Sequence, residues 1–157
     1  MHTQYWRWTR SRKARRSVPP VAPVEMVVVK RVYEPAAPSD GVRILVDRLW
    51  PRGLTKRAAA ANEWLKEVAP STELRKWFGH DPNKWPEFRR RYRSELRAHQ
   101  DALHRIANLA ARRRVTILFG AKDSARNEAV VLAAVLRTRM KQPATRRRGG
   151  KSGRRNA

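Results

Sequence analysis

The chain contains no cysteine among its 157 residues. That excludes disulfides, a thiolate nucleophile and zinc sites built on thiolates. There is no run of 18 apolar residues, so no segment reads as a membrane span. The basic N-terminus is not followed by an apolar stretch, which argues against a secretory signal, and the chain is expected in the cytoplasm. Histidine is scarce, and His99 and His104 fall on different faces of a helix with no carboxylate cluster beside them. No metal site is therefore predicted, and nothing calls for a cofactor.

Acid is the other shortage. There are 13 Asp and Glu against 37 Lys and Arg, a formal net charge of +24. The first 25 residues carry six of the basic side chains and residues 138–157 another eight, which leaves 23 basic against 12 acidic side chains between them. The middle of the chain is thus basic in its own right. Such charge attracts nucleic acid, phosphorylated metabolites or anionic surfaces without choosing among them. Residues 1–25 and 139–157 are too polar to bury a core and are expected to be disordered basic extensions. Tyr5, Trp6 and Trp8 interleave with arginines there and could stack on bases. Met26 directly precedes a strand-like run, so residues 1–25 could equally be a mis-assigned start.

Residues 26–138 read as one α/β domain. Val27–Val32, Val42–Val46 and Val115–Phe119 are short β-branched runs, and the second is expected to be central. Thr55 is placed to cap a helix through the alanines at 58–61, and residues 64–68 are read either as its continuation or as a short strand. Ser71 and Glu73 mark another helix start, with a stop at Gly79. One long helix is predicted from Asp81–Pro82, or from Trp85, to about Ala111. A last helix runs from Ser124 or Ala125 to about Arg137. Strands alternating with helices imply a Rossmann-like arrangement, a mainly parallel sheet flanked by helices, whose ligands bind beyond the carboxyl ends of the strands. Two of those ends carry polar, charged loops, 47–53 and 120–127.

The stretches VDRLWPRG (46–53), LKEVAPS (65–71), LRKWFGHDPNKW (74–85), FRRRYRSEL (88–96) and LFGAKDSARNEAVVL (118–132) resemble the YeaO-like family, in the group catalogued as domain of unknown function 488. The resemblance spans about Val28 to Arg137 and implies a single Rossmann-like α/β domain. It implies no particular reaction. Relatives in the wider group have cysteines near the GAKD loop; this chain has none, so thiol chemistry does not carry over.

From the residues themselves, Asp47 is a candidate general base or ribose ligand, and Arg48 or Arg52 a phosphate ligand. The alternative is an internal ion pair that fixes the loop. Gly120–Asp123 precede a helix N-terminus, where free N–H groups suit an anion. Lys122 would add a charge and Asn127 point to the same place, unless the loop only caps the helix through Asp123 or Ser124. His80 beside Asp81 is a candidate acid/base, against an ordinary turn histidine. Most tryptophans are expected in the core, with Trp50 free to stack a planar ligand. Asp47, His80 and Asp123 are thus the catalytic candidates, and Arg48, Trp50, Arg52, Lys122 and Asn127 the ligand-binding ones. Arg90, Arg93 and Arg97 share one predicted helix face, read as a phosphate-binding surface or as a solvated one. Two functions stay open: binding of an anionic or nucleotide-like small molecule at the strand ends, or nucleic-acid binding through the helix face and tails.

Overall fold

The computed structural model describes residues 25–142, and the expectations for residues 1–24 and 143–157 lie outside it. Four strands, β1 (Val27–Arg31), β2 (Val42–Leu45), β3 (Glu63–Trp64) and β4 (Val115–Phe119), form one all-parallel sheet in the order β1-β4-β2-β3. Every β4 residue is buried, as a run that is apolar but for Thr116 requires of a central parallel strand. β2 is the other central strand. The stretch at 64–68 divides: Glu63 and Trp64 pair with β2, and Lys66–Val68 tighten into a 3₁₀ turn.

The helices are α1 (Lys56–Ala59), α2 (Thr72–Phe78), α3 (Trp85–Leu96), α4 (Gln100–Ala110) and α5 (Glu128–Lys141). Among the described residues none is long and apolar enough to cross a membrane. Two starts follow the expected capping. Thr55 Oγ1 accepts from the Ala58 N–H at 3.1 Å, and Ser71 Oγ from the Leu74 N–H at 3.1 Å. Gly79 ends α2 in the left-handed conformation at φ 53°.

The single long helix over 85–111 is in fact two. Arg97–His99 tighten into a 3₁₀ turn, and His99 leaves helical geometry at φ −113°, ψ 38°. A straight helix of that length would run about 40 Å, more than a domain this size can cover. The break lets both Leu96 and Leu103 reach the core. The last helix also begins later than predicted, at Glu128, with Asn127 as its cap, and continues to Lys141.

Strand alternation divides the interior. Ile44, Val46, Ile117 and Phe119 point into the main core beneath α2–α5, which holds Phe78, Phe88, Tyr92 and Ile106. Leu45, Leu118 and Val32 face a smaller cluster closed by Ala59, Trp50 and Leu54. On that thin face, toward the strands' N-terminal ends, a charged cluster takes the place of apolar filling. Arg43 and Lys30 both pair with Asp40, and Arg43 also donates to the Ala59 and Ala60 carbonyls at 2.9 and 3.1 Å. The Thr116 hydroxyl donates to the Asp40 carbonyl at 2.6 Å. Burial alone would raise the Asp40 carboxyl, but bonds from the Ala37 N–H, Lys30 and Arg43 hold it below the ordinary aspartate value.

Among the described residues the tryptophans sit at the edges of the cores rather than inside them. Trp50, Trp77 and Trp85 are half-buried, and Trp64 is 38% exposed. Cations lie over three of them: Lys66 over Trp64, Arg91 and Lys84 over Trp77, and Arg89 over Trp85.

Candidate functional site

Three of the four strands, β1, β2 and β4, end their carboxyl sides at one cavity of about 640 Å³, and Pro70, past the turn after β3, also lines it. Tyr33 follows β1, residues 47–52 follow β2, Pro70 follows β3, and residues 120–123 follow β4. From the helical layer, Arg75, Phe78 and His80 close one side, Phe88 another, and Glu128 at the start of α5 a third. The cavity falls in the size range of small-molecule sites.

Asp47 is held by the backbone. Its Oδ2 accepts the Gly120 N–H at 2.8 Å, and its own carbonyl accepts the Trp64 indole N–H at 2.7 Å. Glycine is required at 120, since a Cβ there would lie 2.6 Å from Asp47 Oδ2. The other carboxyl oxygen, Oδ1, is shut off from solvent and has no hydrogen-bond partner among the described residues. Facing Asp47 is Glu128, a residue that sequence reasoning missed. The two carboxyls line the same cavity, and each shifts the other.

Burial pushes Glu128 well above the usual glutamate range, and the Asp47 carboxyl beside it pushes it further. Burial also raises Asp47, offset by Glu128, the Gly120 N–H and the nearby His80. Both shifts favour the protonated form, more strongly at Glu128. The Tyr92 hydroxyl beneath them is driven up by burial and by the surrounding carboxylates, and donates to the Val68 carbonyl at 2.6 Å.

Several other predicted site residues are spent on structure. Arg48 borders the cavity, but its guanidinium donates to the Pro70 and Ala69 carbonyls at 2.7 and 3.2 Å. Asn127 is buried, accepting from the Val130 N–H at 3.1 Å and donating to the Asp123 carbonyl at 2.9 Å. Asp123 Oδ1 accepts the Ala125 and Arg126 N–H groups, which lower its carboxyl. The 120–123 loop thus leads into a capped turn, four residues ahead of the helix start. Trp50 packs edge-on against Trp64 at 5.3 Å and donates its indole N–H to the Leu54 carbonyl at 2.5 Å.

Arg52, Arg75, His80 and Lys122 are exposed at the rim. His80 has a positive φ of 59°, directly after Gly79, which swings its ring over the mouth 5.8 Å from Phe78. The resulting cavity has a carboxyl pair within, apolar surface from Pro51, Phe78 and Phe88, and cations outside.

The arginines of α3 do not gather at a comparable site. Arg90 and Arg91 both bind Glu87, holding its carboxyl at about 2. Arg90 borders a groove against α2, whereas Arg93 borders one against α5, and Arg97 lies in the turn after the helix. Among the described residues no group of three or more His, Asp or Glu is arranged to hold a metal.

The family model described as the inactive DUF488-N3 subclade matches residues 26–153. The chain is 50% identical over 109 residues to the uncharacterized protein YeaO of Escherichia coli (strain K12), spanning 69% of this chain and 95% of that protein. It is 44% identical over 113 residues to the uncharacterized protein Mb3100c of Mycobacterium bovis, spanning 72% and 95%. The same figures hold for Rv3073c of Mycobacterium tuberculosis (strain H37Rv). No solved structure matches.

Proposed function

Since the chain belongs to the YeaO-like DUF488 family, matching its inactive DUF488-N3 subclade, we propose that the strand-end cavity binds an anionic, nucleotide-like small molecule. The observation that carries this reading is the convergence of the ends of β1, β2 and β4 on one cavity of about 640 Å³. Free cations at its mouth, Arg52, Arg75 and Lys122, supply the attraction for an anion. Apolar walls supply contact area for a planar group. The description of the subclade as inactive agrees with a pocket that holds its ligand without turning it over.

The test is calorimetric titration of the full chain with nucleoside monophosphates, ribose 5-phosphate and inorganic phosphate at two salt concentrations. Saturable one-to-one binding that weakens at least several-fold in Lys122→Ala supports the reading. A short oligonucleotide serves as the control for the basic extensions, which attract any polyanion. Binding confined to the oligonucleotide, steep in salt, unchanged by Lys122→Ala and lost with Arg93→Ala and Arg97→Ala, would transfer the function to the helix surface.

A further inference from the structure

Among the described residues three large hydrophobic side chains are exposed, Tyr33, Leu49 and Trp64. All three lie at the carboxyl end of the sheet: Tyr33 follows β1, Leu49 follows β2 and Trp64 ends β3. Tyr33 and Leu49 border the strand-end cavity, whereas Trp64 lies outside it, edge-on to Trp50. From β1 to β3 the row crosses the whole sheet, about 14 Å at ordinary strand spacing. Exposed apolar residues scattered singly need no explanation, but a row of them gathered at one place marks a contact surface.

Each ring in the row is held by its polar atom and has a cation beside it. The Tyr33 hydroxyl donates to the Arg52 carbonyl at 2.9 Å, and the Trp64 indole N–H to the Asp47 carbonyl at 2.7 Å. Arg31 lies over the Tyr33 ring at 4.8 Å, with its Nε tied to the Ala121 carbonyl, and Lys66 lies over the Trp64 ring at 5.5 Å. Arg52, Arg75 and Lys122 border the cavity between and beside them. Among the described residues none of these five cations has an ion-pair partner. A surface that sets planar rings among unpaired cations complements a polymer that repeats one planar base and one negative phosphate per unit. An acidic peptide supplies the charge without the planar groups.

We infer that the site takes its nucleotide as one unit of a single-stranded nucleic acid, that unit in the cavity and the neighbouring bases along the row from Tyr33 to Trp64, with Arg52, Lys66 and Lys122 for the phosphates. This rests on the reading of the cavity as a nucleotide site and extends it to a polymer and to a surface outside the cavity. Every base has a planar face, so the row accepts all four with little preference for sequence.

Fluorescence anisotropy of the full chain tests it with three labelled probes: a single-stranded DNA of about eight nucleotides, an abasic strand of the same length, and a polyglutamate peptide of matched charge. The basic extensions are common to every variant, so differences between variants isolate this surface. The wild-type chain should bind the base-bearing strand roughly tenfold more tightly than the abasic one, and excess nucleoside monophosphate should displace it. Tyr33→Ala and Trp64→Leu should each cut that preference about fivefold, while Tyr33→Phe, which keeps the ring, retains it. Equal affinity for the base-bearing and abasic strands overturns the inference, as does a preference that survives both Tyr33→Ala and Trp64→Leu. Polyglutamate bound as tightly as the base-bearing strand overturns it in favour of an acidic protein partner. If nucleoside monophosphates fail to displace the strand, the extension to a polymer falls, and their own calorimetric binding decides separately whether the cavity reading stands.

Discussion

Replacing Glu128 by Gln should stabilise the protein at alkaline pH and do little at pH 4. Two full charges at ~4 Å repel by about 4 kcal/mol at an effective dielectric constant near 20. The folded chain avoids that by keeping a proton on Glu128, which burial and Asp47 together hold on well above the usual glutamate range. Unfolded, the same carboxyl releases its proton near pH 4.3. Between that pH and the raised folded value, the native state binds more protons than the unfolded one. Stability therefore falls as pH rises through this window and levels off above it. Each unit by which the folded value is raised costs about 1.4 kcal/mol at high pH. A glutamine side chain has no proton to lose, and its amide can still donate to Asp47. The variant should gain about 1–3 kcal/mol over wild type at pH 9, roughly 4–12 °C in midpoint for a domain this size. Urea denaturation of both proteins at pH 5, 7 and 9 measures the difference directly. A stability difference that is the same at all three values, or a variant less stable than wild type at pH 9, would refute the account in which the folded chain keeps the Glu128 proton.

Two further substitutions probe the frame around the site. Asp40→Asn removes the carboxylate from Arg43, which is only 4% exposed and keeps just its bonds to the Ala59 and Ala60 carbonyls. Chemical denaturation should show a loss of about 3–5 kcal/mol, much of it recovered in the double variant Asp40→Asn with Arg43→Met; full additivity would contradict the pairing. Because the folded Asp40 value is depressed, its contribution in the wild type is present above about pH 4 and fades as acid protonates it in the native state. Gly120→Ala places a methyl 2.6 Å from Asp47 Oδ2, so it should cost about 1–3 kcal/mol and weaken nucleotide binding together with it. A Gly120→Ala protein with wild-type midpoint and wild-type affinity would show that Asp47 is not confined by this loop.

Much of the fold was legible because its signals are local. VVVK, VRIL and VTILF are β-branched runs, Ser71 and Gly79 bracket α2, and the alternation of strands with helices dictates a parallel sheet. The strand-end position of the site follows from that topology alone. What was illegible depends on where each side chain ends up in three dimensions. Starting the last helix at 124 or 125 places Glu128 a turn inside it; the actual cap, Asn127, moves Glu128 to the first helical position, facing Asp47. The Asn-Glu pair is itself a cap signal, with the acid in the first turn, and would have found the true start. No glycine or proline marks the break at 97–99, and the seven-residue step from Leu96 to Leu103 reads as one helix. Arg90 is paired with Glu87, which lies a turn ahead of the predicted arginine face. Arg75 and Phe88 belong to helical patterns whose periodicity says that they face something, but not that they face this cavity.

The sheet carries charge at both of its ends, and the contrast between them separates scaffold from site. At the N-terminal end, Asp40 accepts from Lys30, Arg43 and the Ala37 N–H, and Arg43 spends its remaining donors on carbonyls. Every charge there has an opposite within hydrogen-bonding reach, which is how a protein tolerates buried ions. At the C-terminal end, two acids face each other, no cation bonds to either, and one Asp47 oxygen is buried without an N–H. Three cations stand close by on the rim, Arg52, Arg75 and Lys122, yet none turns inward to neutralise the pair. Such an arrangement costs stability in the free protein, and replacing Glu128 by Gln would relieve it without disturbing the fold. A charge pattern that is locally unfavourable, lies in a cavity and is kept in place by a glycine packed against it is what the proposed ligand site would use.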